Sequence, residues 1–131
     1  MSIQRALNAA IYTKIGGTAT TAGTAVFYLN APDNQALPYI IWDYVNEGDE
    51  NDHGRRSKNV VVSIKAYAAK ATDAGTIDGQ IDTALHNVTI SVTGWNNFLS
   101  RRENGYSTVN TDQAGIKTYM SGADYRFRFE K

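Results

Sequence analysis

The stretch Tyr125-Arg126-Phe127-Arg128-Phe129 alternates aromatic and charged residues without a break. Successive side chains of a strand point to opposite faces, so this segment reads as a strand with its aromatics facing in and its arginines facing out. The same period runs through Val60-Val61-Val62-Ser63-Ile64-Lys65-Ala66-Tyr67. There Val60, Val62, Ile64 and Ala66 make the better core face, against Val61, Ser63, Lys65 and Tyr67. Residues 38–45 form a further strand, with Pro38 at its start, where a missing N–H costs least. Ile40, Trp42 and Tyr44 line one of its faces, and Tyr39, Ile41, Asp43 and Val45 the other. Both faces are rich in bulk, which would let both be covered. A short β-rich run, Ala25-Val26-Phe27-Tyr28-Leu29, precedes it, and residues 30–34 supply a turn.

Two segments change the period to that of a helix. Ile3, Leu7, Ala10, Ile11 and Ile15 recur every three or four residues, which predicts a helix over residues 2–15 with Ser2 as N-cap and Gly16-Gly17 as its stop. Ala74, Ile77, Ile81, Ala84 and Leu85 predict a second helix over residues 73–87, capped by Thr72 or Asp73. Gly75 and Gly79 fall on its outer side, each costing about 1 kcal/mol of helix propensity relative to Ala. Asp78 and Asp82, four residues apart, would repel weakly. Beyond it, residues 88–93 alternate weakly, and residues 94–99 read as a turn. Asn104-Gly105 resembles a hairpin connection, and residues 106–112 and 116–121 read as two further strands. The order of helix, strands, helix, strands predicts one α+β domain over residues 1–131, a mainly antiparallel sheet with two helices packed on one face.

Composition narrows the chemistry. With 131 residues and no cysteine, the fold holds by packing alone, and disulfides, thiolate metal sites and Cys nucleophiles are excluded. Lys+Arg and Asp+Glu both number 13, so the chain lacks the overall basic footprint of a nucleic-acid binder. No apolar run approaches the roughly 20 residues that span a bilayer, and the first residues do not form a secretory core, so the expectation is a soluble protein without membrane contact. No Gly-x-Ser-x-Gly, phosphate-binding loop, dinucleotide fingerprint or His-Glu-x-x-His occurs, so no catalytic residue and no cofactor are assigned. His86, in the last turn of the second helix, would favour the helix dipole as a charged imidazole. Asn87-Val88-Thr89 matches a glycosylation sequon by chance.

Residues 47–58 contain no apolar side chain and read as an exposed charged loop or arm. Asp49, Asn51 and Gly54 match positions one, three and six of a calcium loop, but Val60 stands where the bidentate glutamate is needed, so no metal site is assigned. Glu47, Asp49, Glu50 and Asp52 come first, and Arg55, Arg56 and Lys58 follow. A solvated hairpin tip accounts for such a run. An assembly arm does so as well, since opposite charges on one subunit can meet their complements on the next and set register.

Taken in order, these segments resemble the tail terminator, or tail completion, proteins of long-tailed phages. The likeness rests on the N-terminal helix, the Leu37-Pro38-Tyr39-Ile40 strand start leading into Trp42-Asp43-Tyr44, the charged loop, the Asn59–Tyr67 strand, the Ile77-x3-Ile81-x2-Ala84-Leu85 helix and the aromatic–Arg ending. The resemblance implies a tail-terminator-like α+β subunit that assembles with itself into a ring, a hexamer. Such a ring sits in the virion at the head-proximal end of the tail, stops polymerisation of the tail tube protein and meets the head-tail connector protein. DNA passes through its lumen without sequence-specific binding. The subunit is made in the host cytoplasm, with no catalysis and no cofactor. Glu47, Asp49, Glu50, Asp52, Arg55, Arg56 and Lys58 are the candidate interaction residues. Two rival readings are a head-closure or tail tube protein, and a small-ligand module or enzyme with a pocket lined by Trp42, Tyr44 and Tyr67. Tube proteins need a long hairpin to line a lumen, and the pattern shows no pair of long strands.

Overall fold

The computed structural model describes residues 3–49 and 56–131. The elements are α1 (Ile3–Ile15), β1 (Val26–Tyr28), β2 (Tyr39–Asp49), β3 (Ser57–Ala68), α2 (Ala71–Leu85), β4 (Asn96–Thr111) and β5 (Lys117–Glu130). The five strands form one sheet in the order β1-β2-β3-β5-β4. β1 runs parallel to β2, and the other neighbours are antiparallel. This is the α+β architecture that the order of periods implies.

One face of the sheet carries the core. Ile40 and Trp42 of β2, Val60, Val62, Ile64 and Ala66 of β3, and Tyr125, Phe127 and Phe129 of β5 are buried there. These are the faces that the alternation selects. Against them lies the stripe of α1, Ile3, Leu7, Ala10, Ile11 and Ile15, each buried as its spacing requires. The Tyr44 hydroxyl hydrogen-bonds Asn8 Oδ1 (2.7 Å) and Gln4 O (3.2 Å), which fixes α1 over β2. α2 covers β3 and β5 through Ala74, Ile77, Ile81 and Leu85, with Ala84 packed at the margin. Burying each aliphatic side chain contributes about 1.5–3 kcal/mol.

Several sequence expectations are corrected. α2 starts at Ala71, and its N-cap is Lys70, without a side-chain capping bond, so neither Thr72 nor Asp73 caps it. The Ser2 cap proposed for α1 lies outside the described residues. Residues 88–93 form no strand of their own; Val92 makes an isolated bridge to Trp95. Residues 96–99 and Asn104-Gly105 are not turns but parts of one 16-residue strand, β4. Two bulges, between Asn97 and Leu99 and between Arg102 and Asn104, absorb the irregular residues while pairing with β5 continues. The turn between residues 112 and 116 falls where the gap between the two expected strands placed it: Asp112 Oδ1 accepts the N–H of Ala114 and of Ile116 (both 2.9 Å), and Gly115 adopts φ +82°. β4 and β5, with 16 and 14 residues, are therefore a long hairpin of the kind the sequence pattern lacked.

Trp42 and Tyr44 lie on the helix side of the sheet, whereas Tyr67 stacks on Tyr39 (centroids 5.2 Å apart) on the opposite side. The three cannot line one pocket. Among the described residues no helix covers this second face, so Tyr39 and Ile41 stay half-buried there.

Candidate functional site

The charged segment is not one continuous loop. Glu47 and Asp49 belong to β2 and Lys58 to β3, and they meet across the strand pair. The Lys58 ammonium lies 2.8 Å from Asp49 Oδ1 and 3.9 Å from Glu47 Oε2. Its hydrogen bond and charge hold the Asp49 carboxyl below the ordinary aspartate range. A strand at the end of a sheet needs no apolar side chain when cross-strand charges pair. Arg56 is exposed just before β3, and its carbonyl accepts the N–H of Lys131 (2.9 Å). Glu50, Asp52 and Arg55, like Asn51, His53 and Gly54 of the calcium match, lie outside the described residues.

The uncovered face of the sheet holds polar networks that sequence reading missed. Tyr106 on β4 reaches across β5. Its hydroxyl bonds the Ser63 hydroxyl on β3 and also Asp124 Oδ1 on β5 (3.1 Å). Gly122, the residue paired with Tyr106, has no side chain to obstruct that reach. A Cβ at Gly122 would also come within 2.5 Å of Ile64 O. Burial, together with the charge of Asp124, pushes the Tyr106 hydroxyl up to about 12. Nearer the other end, Glu103 accepts from Arg126 Nε (2.8 Å) and Arg101 Nη2 (2.8 Å), and Arg126 Nη1 donates to Asn59 Oδ1 (2.6 Å). The aromatic–Arg alternation announces that Arg126 faces out, but nothing local in the sequence names its partners.

On the helix side, Asp78 of α2 is only 8 % exposed. Arg102 of β4 grips its two oxygens at 3.0 and 2.8 Å, and Ser121 Oγ adds a third bond at 3.1 Å. The repulsion expected between Asp78 and Asp82 gives way to this pair, which ties α2 to β4 and β5. That hydrogen-bonded carboxylate raises the Arg102 guanidinium further above its usual range. His86 Nδ1 accepts the backbone N–H of Arg102 (3.0 Å), which ties the end of α2 to β4. Gly75 and Gly79 are exposed, and no atom of the chain approaches the space a Cβ would fill.

These clusters are structural pairings and surface networks. Among the described residues no three His, Asp or Glu side chains converge as a metal site would require, and no helix is long and apolar enough to cross a membrane. A chain with two long hairpins, a fully packed helix side and an open polar face is suited to contact other subunits.

Comparison with known proteins identifies the fold and the family. A chain from the virion of a native gene transfer agent particle superposes with a TM-score of 0.78, at 18% identity, over 99% of this chain and 98% of that one. A second solved chain gives a TM-score of 0.61 at 16% identity, over 97% of this chain and 96% of its own length. No curated protein sequence matches. A family model described as tail completion protein gp17 matches residues 5–130. The chain therefore belongs to the phage tail completion protein gp17 family and is a structural protein of the virion tail.

Proposed function

We propose that the protein completes the tail by forming a closed ring of identical subunits, a hexamer, on the head-proximal end of the tail tube. The ring stops tube polymerisation and presents its far side to the head-tail connector, while DNA passes through the lumen without sequence-specific contacts. The subunit works by shape and self-complementarity rather than by catalysing a reaction, and it is made in the host cytoplasm before assembly. The observation that carries this reading is the tail completion family match across residues 5–130. A ring of this kind uses heterologous contacts that close by rotation. The chain has the mixed local charge and zero formal net charge that let like subunits approach without overall repulsion. Glu47, Asp49, Glu50, Asp52, Arg55, Arg56 and Lys58 form the arm assigned to inter-subunit or tube contacts. The long β4–β5 hairpin is compatible with a tail tube protein too, but the family match favours completion.

The test is to add purified protein to tails that lack it and to locate and count the bound subunits by imaging and mass. A sixfold ring at one end of each tail is expected. Subunits incorporated along the whole tube would overturn the reading in favour of a tube protein.

A further inference from the structure

The two outer edges of the sheet differ in kind, and they complement one another. One edge is built by β1 and, above it, by β2. β1 pairs only with Ile40, Ile41 and Trp42, so among the described residues nothing pairs with the outer side of residues 43–49. That segment carries Asp43, Glu47 and Asp49 and no base. The other edge is β4, where Arg101, with its side chain 49 % exposed, is the outward-reaching base beside Glu103, while Arg102 turns to Asp78 on the helix side. Lys131 lies close by, its ammonium 5.2 Å from the ring centre of Trp95.

The strand registers place these features at matching heights. Asn46 pairs with Val61, Val61 with Arg126, and Arg126 with Arg101, so the acid-bearing end of β2 and Arg101 of β4 stand at the same height. Lower down, Val26 is connected in the same way through Ile40, Ala66 and Ser121 to Ser107, and Tyr28 through Trp42, Ile64 and Ala123 to Gly105. β4 also runs antiparallel to β2, as the successive antiparallel pairings require. A second copy set beside the first in the same orientation would thus bring its β4 against the β1/β2 edge at equal height and with antiparallel polarity to β2.

Both edges also expose apolar side chains that the fold leaves uncovered. Leu29, 60 % exposed, is held just past β1 at φ +71°, a left-handed backbone region unfavourable for a bulky residue. Val45, at the β2 bulge, is 59 % exposed, and Phe98 and Val109 on β4 are each 51 % exposed. The bulges at the upper ends of β2 and β4 interrupt a smooth ladder, so side-chain charges dominate there. Below them, residues 105–111 of β4 carry neither charge nor proline and form a regular exposed edge, a ready template for strand pairing.

We propose that neighbouring subunits join edge to edge, with β1 and the acidic part of β2 of one copy against β4 of the next. The occupant of each edge is therefore a second copy of this chain. The proposal rests on the ring reading and specifies how that ring closes.

The absence of cysteine makes the test clean. Within one chain β4 lies four strand spacings from β1 and three from β2, roughly 19 and 14 Å, both beyond the about 7 Å that a disulfide spans, so any bridge between these edges joins two copies. Two double variants, Leu29→Cys/Asn104→Cys and Val45→Cys/Arg101→Cys, are assembled alone and on tails lacking the protein, then mildly oxidised. A ladder of covalent multimers reaching the full ring is expected on a denaturing gel, with each single variant staying monomeric. Failure of the edge variants to assemble, beside a Gly75→Cys variant that does assemble, supports the same contact. Closed rings of correct mass that yield no ladder overturn edge-to-edge joining and leave the ring intact. A wild-type chain that stays monomeric alone and never binds tails overturns the ring reading and this contact together.

Discussion

Removing the guanidinium of Arg102 should cost the fold more than any other change to a surface-reaching side chain. Arg102→Met keeps the length and apolar stem of the residue but strips Asp78 of both guanidinium bonds, leaving it the single bond from Ser121 Oγ. Breaking a fully buried pair costs about 3–5 kcal/mol, and losing hydrogen bonds to a charged group about 1.5–3 kcal/mol. The Asp78 side chain retains 11% exposure and that of Arg102 27%, so the lower range applies, about 2–3 kcal/mol. A chain of 131 residues unfolds with an entropy of roughly 0.28 kcal/mol per kelvin, so Tm should fall by about 7–11 °C. The assay is a thermal melt by circular dichroism alongside urea titration. The double variant Asp78→Leu/Arg102→Met should recover most of the loss, because an apolar pair leaves no charge stranded. A single variant melting within 2 °C of wild type would refute the claim that this pair anchors α2.

Four further outcomes follow from the same geometry. Gly122→Ala places a Cβ 2.5 Å from Ile64 O and 3.0 Å from Lys65 Cα, so β3 and β5 must part; a loss of about 1–3 kcal/mol is expected in urea denaturation. Ile64→Asp sets a carboxylate among fully buried neighbours and should abolish the cooperative melt. Burial raises the Glu103 carboxyl, but Arg126 and Arg101 outweigh it and hold it below the ordinary glutamate value. Its stabilisation is therefore complete above the unfolded-state pKa of about 4.3 and is lost as pH falls through the lower folded value, so Glu103→Gln should flatten the acid limb of Tm against pH. Removing residues 50–55 should leave the melting of the subunit intact and weaken its assembly on tails, as read by co-sedimentation.

Periodicity made much of the fold legible. The stripe of α1 and the alternation of β3 and the end of β5 report which side of each element is apolar, and burial follows that directly. What escaped depends on partners distant in sequence. Asn104-Gly105 has strong local turn chemistry, yet pairing with Asp124 and Ala123 holds it inside β4, with a bulge taking up the extra residue. Asp78 looked like one of two repelling carboxylates because its partner lies 24 residues away on another element. Glu47, Asp49 and Lys58 looked like loop because a polar strand end carries no hydrophobic period; their cross-strand pairing is visible only once the register is known. The open-face network of Tyr106, Ser63 and Asp124 spans three strands and has no linear signature.

Electron microscopy of particles produced without this protein tests the central claim most directly. If the subunit terminates the tail and prepares it for joining, the particles should show tails of uncontrolled length, separate from filled heads. Tails of normal length attached to heads, in particles that still infect, would contradict it.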